Sequence, residues 1–407
     1  MTFAISSRRQ FCYGAGALGL TLTMAPSLVA AAPSADILSR RRAWTAPSDG
    51  YTPFFELFES EPVRSGSRIL PLSEATEPFD FTFEFEGRTY TLEEYQQVTK
   101  TYGLIVVKDG QVLHEGYGRG ATRESLLWSA SMSKSIVSIL AGIAVGQGKI
   151  GSVDDQVVQY LPELAGSGYA GATIGNLLHM RSGVEWNDSF FVAGPALDAQ
   201  VASLVENRAR YTDFAVPTHN GYPPGSRLNY NSMDTGVVGW LVERASETPL
   251  PEFTARHLWQ PLGAEADAYW LTDGPVGIGR AFAAGGYNAR LRDYARIGLL
   301  MLHEGKIGDQ QILPEGWTRA TFTAPEPEQH EGLYQYGYQW WLLDGQPAYS
   351  AVGGFGQYIH VNPAAGLVIA KNSWNPAPAA TRDGREELMV DDDMARACFA
   401  AIAEKVG

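Results

Sequence analysis

Residues 128–140 read WSASMSKSIVSIL, and they put a serine and a lysine where packing alone would not ask for them. Ile136, Val137, Ile139 and Leu140 turn the segment apolar almost at once, as in a helix entering a core. Ser131 falls at the first turn and Lys134 one turn in. An i, i+3 pair shares one helix face, with Cβ atoms about 5–6 Å apart. A helix N-terminus offers free backbone amides and the positive end of the dipole, so negative charge developing at Ser131 is favoured there. A lysine held among apolar side chains has its charged form disfavoured and can act as a base near neutral pH. The pair has the chemistry of a nucleophile with a built-in proton acceptor. The plain alternative is a lysine whose ammonium snorkels to water, since Ser-x-x-Lys is short and serine is common.

Two further stretches could complete such a pair. LNYNSMDTG, residues 228–236, follows the Pro-Pro-Gly turn of 223–225 and sets Tyr230 just ahead of an amphipathic helix, where its hydroxyl can project into a cleft. AVGGFGQYIHV, residues 351–361, opens a strand on Gly353, Gly354 and Gly356. Glycine lets a backbone approach a ligand closely. An amide of this loop is a candidate second oxyanion donor beside that of Ser131. Each feature also has an ordinary reading, as a packed tyrosine and as a bulge or tight turn. Trp186, Tyr222, Trp340 and Trp341 read either as an apolar acyl pocket or as core aromatics, and His360 as packing or rim.

Other chemistries find little support. Gly-x-Ser-x-Gly is absent, so there is no nucleophile elbow. Gly-x-x-x-x-Gly-Lys is absent as well. GAGALG at 14–19 has no strand before it and is set aside as a dinucleotide site. The seven histidines are scattered, with no His-x-x-x-His and no nearby cysteine pair, so neither a metal site nor a cofactor is expected.

Taken in order, these elements resemble those of the Ser-x-x-Lys serine hydrolases: class C β-lactamases, DD-peptidases, and the family VIII carboxylesterases with 6-aminohexanoate-dimer hydrolase. The resemblance runs from about residue 80 onward. It includes LLHMRSGVEW, PPGSRLNYNSMDTGVVGWLVERAS, LWQPLGAEADAYW, ARLRDYARIGLLML and YGYQWW. The dimer hydrolase and esterase branch is the most similar. It implies Ser131 as nucleophile, Lys134 and Tyr230 as the proton-transfer pair, and an oxyanion hole from the amides of Ser131 and the 353–355 loop, with Gly354 the candidate. Ser232, Trp186, Phe190 and Phe355 are the implied substrate contacts, Ser232 orienting Tyr230 or the leaving group. No cofactor is implied.

Three departures shape the substrate expectation. Tyr230-Asn231-Ser232 stands where β-lactamases carry Tyr-x-Asn. No lysine precedes Gly353-Gly354, where Lys-Thr-Gly would bind a β-lactam carboxylate. The loop SGVEWNDSFFVAG carries Phe190 or Phe191 where the nylon-oligomer amidases resemble one another in a tyrosine. The reading is therefore hydrolysis of small-molecule esters, or short linear amides, through an acyl-enzyme. A β-lactamase or DD-peptidase, and a non-catalytic binding protein on the same fold, are the alternatives.

The rest of the chain must position these groups. FDFTFEFEGRTYTLEEY, residues 79–95, alternates up to Glu86-Gly87, a hairpin signal, and Thr91 with Glu94 makes a capping box. YGLIVVKDGQVLHEGYG, residues 102–118, is a second hairpin turning at Asp109-Gly110; its near-continuous apolar first strand implies a central strand buried on both faces. Residues 131–147 are helical, ended by Gly146 and Gly148. From 150 to about 300 come short helices, loops and two clear amphipathic helices. Strands return at YGYQWWLL, GQYIHVNP and GLVIAKNS, and a last helix follows the acidic 391–393. Strands at both ends around inserted helices imply an α+β fold. The resemblance makes it β-lactamase/DD-peptidase-like: a terminal antiparallel sheet flanked by helices, a helical lobe at 150–300, and a cleft between lobes as the default site. Residues 33–78 read as an extended lead-in, ahead of a hydrolase domain over 79–407.

Composition bounds the partners. The chain has 407 residues, 45% of them hydrophobic, enough for a large core. Its net charge of −14 argues against nucleic acid or an anionic membrane surface. At the N-terminus, Arg8 and Arg9 precede a weakly apolar run ending in small residues near 30–32. This reads as a twin-arginine secretion signal, removed on export to periplasm or medium, and not as a stable membrane anchor. Cys12 would leave with it. Cys398 would remain alone, a packing residue, so no internal disulfide could form.

Overall fold

A computed structural model describes residues 33–42, 50–189, 193–275, 277–325, 334–343, 347–374, 380–382, 385–387 and 392–407. The expected signal at 1–32, Phe190, Phe191 and Asp391 lie outside them. The larger sheet has eight strands in the order Tyr334–Tyr336, Trp341–Leu343, Tyr349–Gly353, Gln357–Asn362, Leu367–Ser373, Thr101–Lys108, Gln111–Tyr117 and Ser73–Glu74. Leu367–Ser373 pairs antiparallel with Thr101–Lys108, so the two ends of the chain meet in mid-sheet. All neighbours are antiparallel except Ser73–Glu74, which runs parallel to Gln111–Tyr117.

Both faces of this sheet are covered, which is why its central strands lack polar alternation. Ile105, Val107, Ala351, Ile359, Val368 and Ala370 join the main core beneath the helices Met132–Gly146 and Leu291–Leu302. A Cβ at Gly298 would strike Val368, so glycine there lets the second helix lie close to the strand. Leu104, Val106, Tyr358, Leu367 and Ile369 face the other way. They share a smaller core with residues of Leu92–Val98 and the last helix, Asp392–Val406. Cys398 is buried in that last helix.

Local signals place the elements well. Both hairpins turn with positive φ at both central residues, Glu86-Gly87 at 49° and 76° and Asp109-Gly110 at 49° and 80°. This is the primed turn that matches strand twist. The capping box closes in both directions: Glu94 donates its amide to Thr91 Oγ1 at 3.1 Å, and Thr91 donates its amide to Glu94 Oε2 at 2.9 Å. Helices run over Ser232–Ser246 and Leu291–Leu302 as their periodicity implies.

Three expectations need correction. YGYQWWLL is not one strand: it folds back on itself, with Tyr336 opposite Trp341 and Gln339 at φ +59° in the turn. The fully buried strand Tyr349–Gly353 has no alternation and carried no sequence signal. The lead-in is not simply extended. It contains the helix Ala35–Arg42, the turn Phe54–Leu57 and the strand Ser60–Val63. That strand pairs with Ala268–Leu271 in a four-stranded sheet whose other edge is Leu127–Trp128. Its order comes from distant partners; Arg41, for one, donates through Nε to the carbonyl of Leu57 at 2.9 Å. Among the described residues no helix is long and apolar enough to cross a membrane.

Candidate active site

Ser131 stands between that small sheet and the helix Met132–Gly146. Leu127–Trp128 pairs with Tyr287–Ala289, and the Ser129 amide donates to the Tyr287 carbonyl at 2.9 Å. The chain then turns sharply: Ala130 has φ +44°, a left-handed conformation that alanine rarely holds. Such a turn must be imposed by its surroundings and is common where a side chain has to be aimed. Ser131 follows as the N-cap residue at φ −68°, half-buried, and its hydroxyl makes no capping bond. It is left available for chemistry.

The polar residues around it fix the rotation of the helix. Ser133 Oγ donates to the Ala283 carbonyl at 3.0 Å and Ser135 Oγ to the Gln339 carbonyl at 2.5 Å. Between them Lys134, only 1% exposed, donates through Nζ to Ser131 Oγ and to the Ala284 carbonyl, both at 2.9 Å. The lysine does not snorkel. Burial lowers its pKa to about 8, against the opposing pull of Asp188. The Tyr230 ring centroid lies 5.0 Å from Lys134 Nζ, and its phenol is near enough to Ser131 for that hydroxyl to act on its proton affinity. Burial, and then the charge of Asp188, push the phenol well above its ordinary value. The three residues singled out in the sequence are thus brought together.

The glycine loop comes to the same place. A Cβ on Gly353 would fall against the Ser129 carbonyl oxygen and 3.0 Å from the Ser131 amide, whereas one on Gly354 would meet nothing. The loop therefore lies directly against the Ser131 amide and turns at Phe355, φ +69°, and Gly356, φ +86°. Behind it the Gln357 side-chain amide donates to the Ser373 carbonyl at 2.5 Å, and Asn372 Nδ2 donates to Gln357 Oε1 at 2.9 Å and to the Trp128 carbonyl at 3.1 Å.

Two aromatic groups flank the serine. Phe355 stacks on Trp374 with centroids 4.4 Å apart and approaches Trp128 at 6.0 Å; Phe54 of the lead-in stacks on Trp128 at 4.7 Å. On the other side Tyr230 stacks on Trp341 at 5.7 Å and meets Tyr336 edge-on at 6.1 Å. Trp341 is half-buried, but Trp340 is fully buried core. Tyr222 is half-buried under Arg227, whose guanidinium lies 3.9 Å from its ring centre. His360 is buried and shares a 3.0 Å hydrogen bond with Ser350, a packing role.

Ser232 and Trp186 do not stand where substrate contacts were expected. Ser232 is fully buried at the first position of its helix, and Trp186 is 7% exposed. Both are committed to a residue the sequence reading passed over, Asp188. Its Oδ1 accepts from Trp186 Nε1 at 2.9 Å and from the Ser232 amide at 2.7 Å; its Oδ2 accepts from Ser232 Oγ at 2.7 Å. Burial pushes this carboxyl above its ordinary range and Lys134 opposes the rise. The only available signal was an acid in the SGVEWNDSFFVAG loop. Phe190, the fourth implied contact, lies outside the described residues.

Comparison with known proteins gives this arrangement relatives. A family model described as beta-lactamase matches residues 91–392. The 6-aminohexanoate-dimer hydrolase of Paenarthrobacter ureafaciens is 28% identical over 350 residues, covering 83% of this chain and 88% of that protein. A Bacillus anthracis structure provisionally named 6-aminohexanoate-dimer hydrolase superposes with a TM-score of 0.74 at 24% identity, over 90% of this chain and 95% of that one. A family VIII carboxylesterase structure superposes at 0.55 and 14% identity, over 74% and 92%.

Proposed function

This chain belongs to the beta-lactamase family, and on that premise we propose that it is a serine hydrolase cleaving esters, or short linear amides, through an acyl-enzyme on Ser131. One observation carries the reading: the Lys134 amine, its pKa lowered to about 8, lies 2.9 Å from a serine oxygen that Tyr230 also engages. Neutral Lys134 accepts the Ser131 proton as Oγ attacks the carbonyl carbon. Tyr230, held neutral by burial, gives its proton to the leaving group as that bond breaks, and Lys134 returns the first proton to Tyr230. Water then enters and the same transfers run in reverse order to free the acid. The tetrahedral oxyanion rests on the Ser131 amide and an amide of the loop that opens at Gly353. Each such donor is worth about 3–4 kcal/mol.

The substrate reading leans to neutral acyl groups. The position before Gly353 is Val352, which packs into the outer core, so no cation faces the serine from there. Aromatic rings on both sides of Ser131 suit an uncharged chain. The Paenarthrobacter relative, named for a linear amide substrate, keeps amides within the reading. Hydrolysis of p-nitrophenyl butyrate by the protein and by Ser131→Ala tests it, with a fluorophosphonate to label the nucleophile. Loss of turnover in the variant and a label on Ser131 are expected; equal rates would overturn the mechanism.

The paired Arg8 and Arg9 support a second part of the proposal, export by the twin-arginine route. Replacing both with lysine is expected to leave the protein in the cytoplasmic fraction, and unchanged fractionation would remove the idea.

A further inference from the structure

We propose that Asp188 is a positioning residue for this reaction: it ties the loop after Ser182-Gly183 to the helix start that aims Tyr230, and its charge sets the proton balance of Lys134. The inference rests on the serine-hydrolase reading above. Two observations carry it. First, the carboxylate sits where an anion is favoured, at the N-terminus of the helix Ser232–Ser246. There it takes the Ser232 amide, while the Asn231 side chain, as N-cap, takes the Met233 amide at 2.8 Å. Tyr230 immediately precedes this doubly fixed turn. Second, an amide would serve the hydrogen bonds equally well. An asparagine oxygen could accept from Trp186 and Ser232, and its nitrogen could donate to Ser232 Oγ, which can also accept. What an asparagine lacks is charge, and Lys134 and Tyr230 stand within its reach: Asp188 holds Ser232 two residues after Tyr230, and Lys134 Nζ lies 5.0 Å from the Tyr230 ring centre.

The surrounding ionisable groups are few. Lys134 faces Ser131, Tyr230, the Ala284 carbonyl and Asp188. Asp188 is felt in turn by Tyr211, Tyr336 and Asp234. Both tyrosines are buried phenols raised well above their ordinary value. Asp234, bonded to Tyr169 at 3.0 Å and Asn231 at 2.8 Å, is pushed up to about 8 by burial, and its charge couples to Asp188 rather than to Lys134. His360, whose pKa burial lowers to about 4, lies on the other face of the sheet against Phe399 of the last helix. His257, with Arg256 beside it, meets Gln147 at the far end of the helix.

A negative charge at 188 favours the protonated lysine, so removing it should make Lys134 a free base at lower pH. The test is the pH dependence of Ser131 phosphonylation by a fluorophosphonate, a rate that needs no knowledge of the natural substrate. In Asp188→Asn the acidic limb of that rate is expected to move down by at least about one pH unit, the usual size of a nearby opposite charge. In Asp188→Glu, which keeps the charge, it is expected to stay near the wild-type position even if the rate falls. An unmoved limb in a folded Asp188→Asn, or a moved limb in Asp188→Glu, overturns the proposal, because lost hydrogen bonds alone slow the reaction without shifting its pH profile. Should Asp188→Asn not fold, Asp188→Ser, which also removes the charge, carries the same expected shift and the same overturning result. Failure to label Ser131 in the wild-type protein would remove the hydrolase reading itself, and this inference with it.

Discussion

Lys134 and Lys371 lie on opposite faces of the large sheet, and both are enclosed, at 1% and 0% exposure. Lys134 enters from the helix Met132–Gly146 on one face and meets a hydroxyl oxygen and one carbonyl. Lys371 lies on Leu367–Ser373 opposite Tyr358, with Nζ 5.3 Å from the Tyr95 ring centre, 5.6 Å from that of Tyr358 and 3.5 Å from the Gly356 carbonyl. A serine hydroxyl in a pocket that lowers the lysine pKa suits an amine that must give and take protons. The two lysines are enclosed alike and differ in what they touch: a nucleophilic hydroxyl in one case, aromatic rings in the other.

Lys134→Met should produce the largest effect. Loss of a positioned proton acceptor is expected to cut kcat by about 10²–10⁴-fold, with the melting temperature retained or raised. In the wild-type protein kcat/KM should rise with pH as Lys134 loses its proton, near the lowered value of about 8. The sign for stability is parallel. A lysine depressed in the folded state but ordinary when unfolded leaves the unfolded chain holding more protons between about 8 and 10.5, so stability climbs with pH across that window. A flat pH–rate profile, or a Lys134→Met enzyme of normal rate, would break the comparison.

Gly353 and Gly354 sharpen it on the Ser131 side. Gly353→Ala should push the loop off the Ser131 amide and lower kcat by about 10²-fold, the scale of a misplacement near 1 Å. Gly354→Ala meets no atom and should be close to wild type; equal losses from the two would show that loop flexibility, not the close approach, matters. Lys371→Met comes next. Lys371 meets aromatic rings and one backbone carbonyl, none of them a group proposed to react. The rate should stay close to wild type, and a loss matching that of Lys134→Met in a folded protein would erase the distinction between the faces. Smallest is Thr91→Ala, which removes the cap of the helix Leu92–Val98 on the outer face. It should cost about 1 kcal/mol in denaturant unfolding and leave esterase activity unchanged.

The site's parts were legible to different degrees. Ser131 and Lys134 are a local pair, so their spacing told which face they share. Tyr230 and the glycine loop could be named as candidates, but their meeting at one serine depends on the strand Tyr349–Gly353 lying beside the nucleophile helix. Asp188 was not legible: one acid in a polar loop has no period, and its role appears only when Ser232 and Trp186 close on it. The hold of Asp188 on Ser232 and Trp186 was not legible for the same reason, since a side chain's partner across a fold leaves no mark on its neighbours in sequence. The lead-in was read as extended because its strand Ser60–Val63 is set by pairing with Ala268–Leu271, some two hundred residues away.

By itself the sequence determined the hairpin turns at Glu86-Gly87 and Asp109-Gly110, the capping box, the major helices and the serine–lysine face. Each depends on φ preferences or on contacts within about four residues. The tertiary structure alone decided that Lys134 is shut away from water, that Lys371 lies among aromatic rings, and that Gly353 presses on the Ser131 amide. Burial and close approach are set by elements far apart in the chain, and the proton affinity of a buried group follows from them.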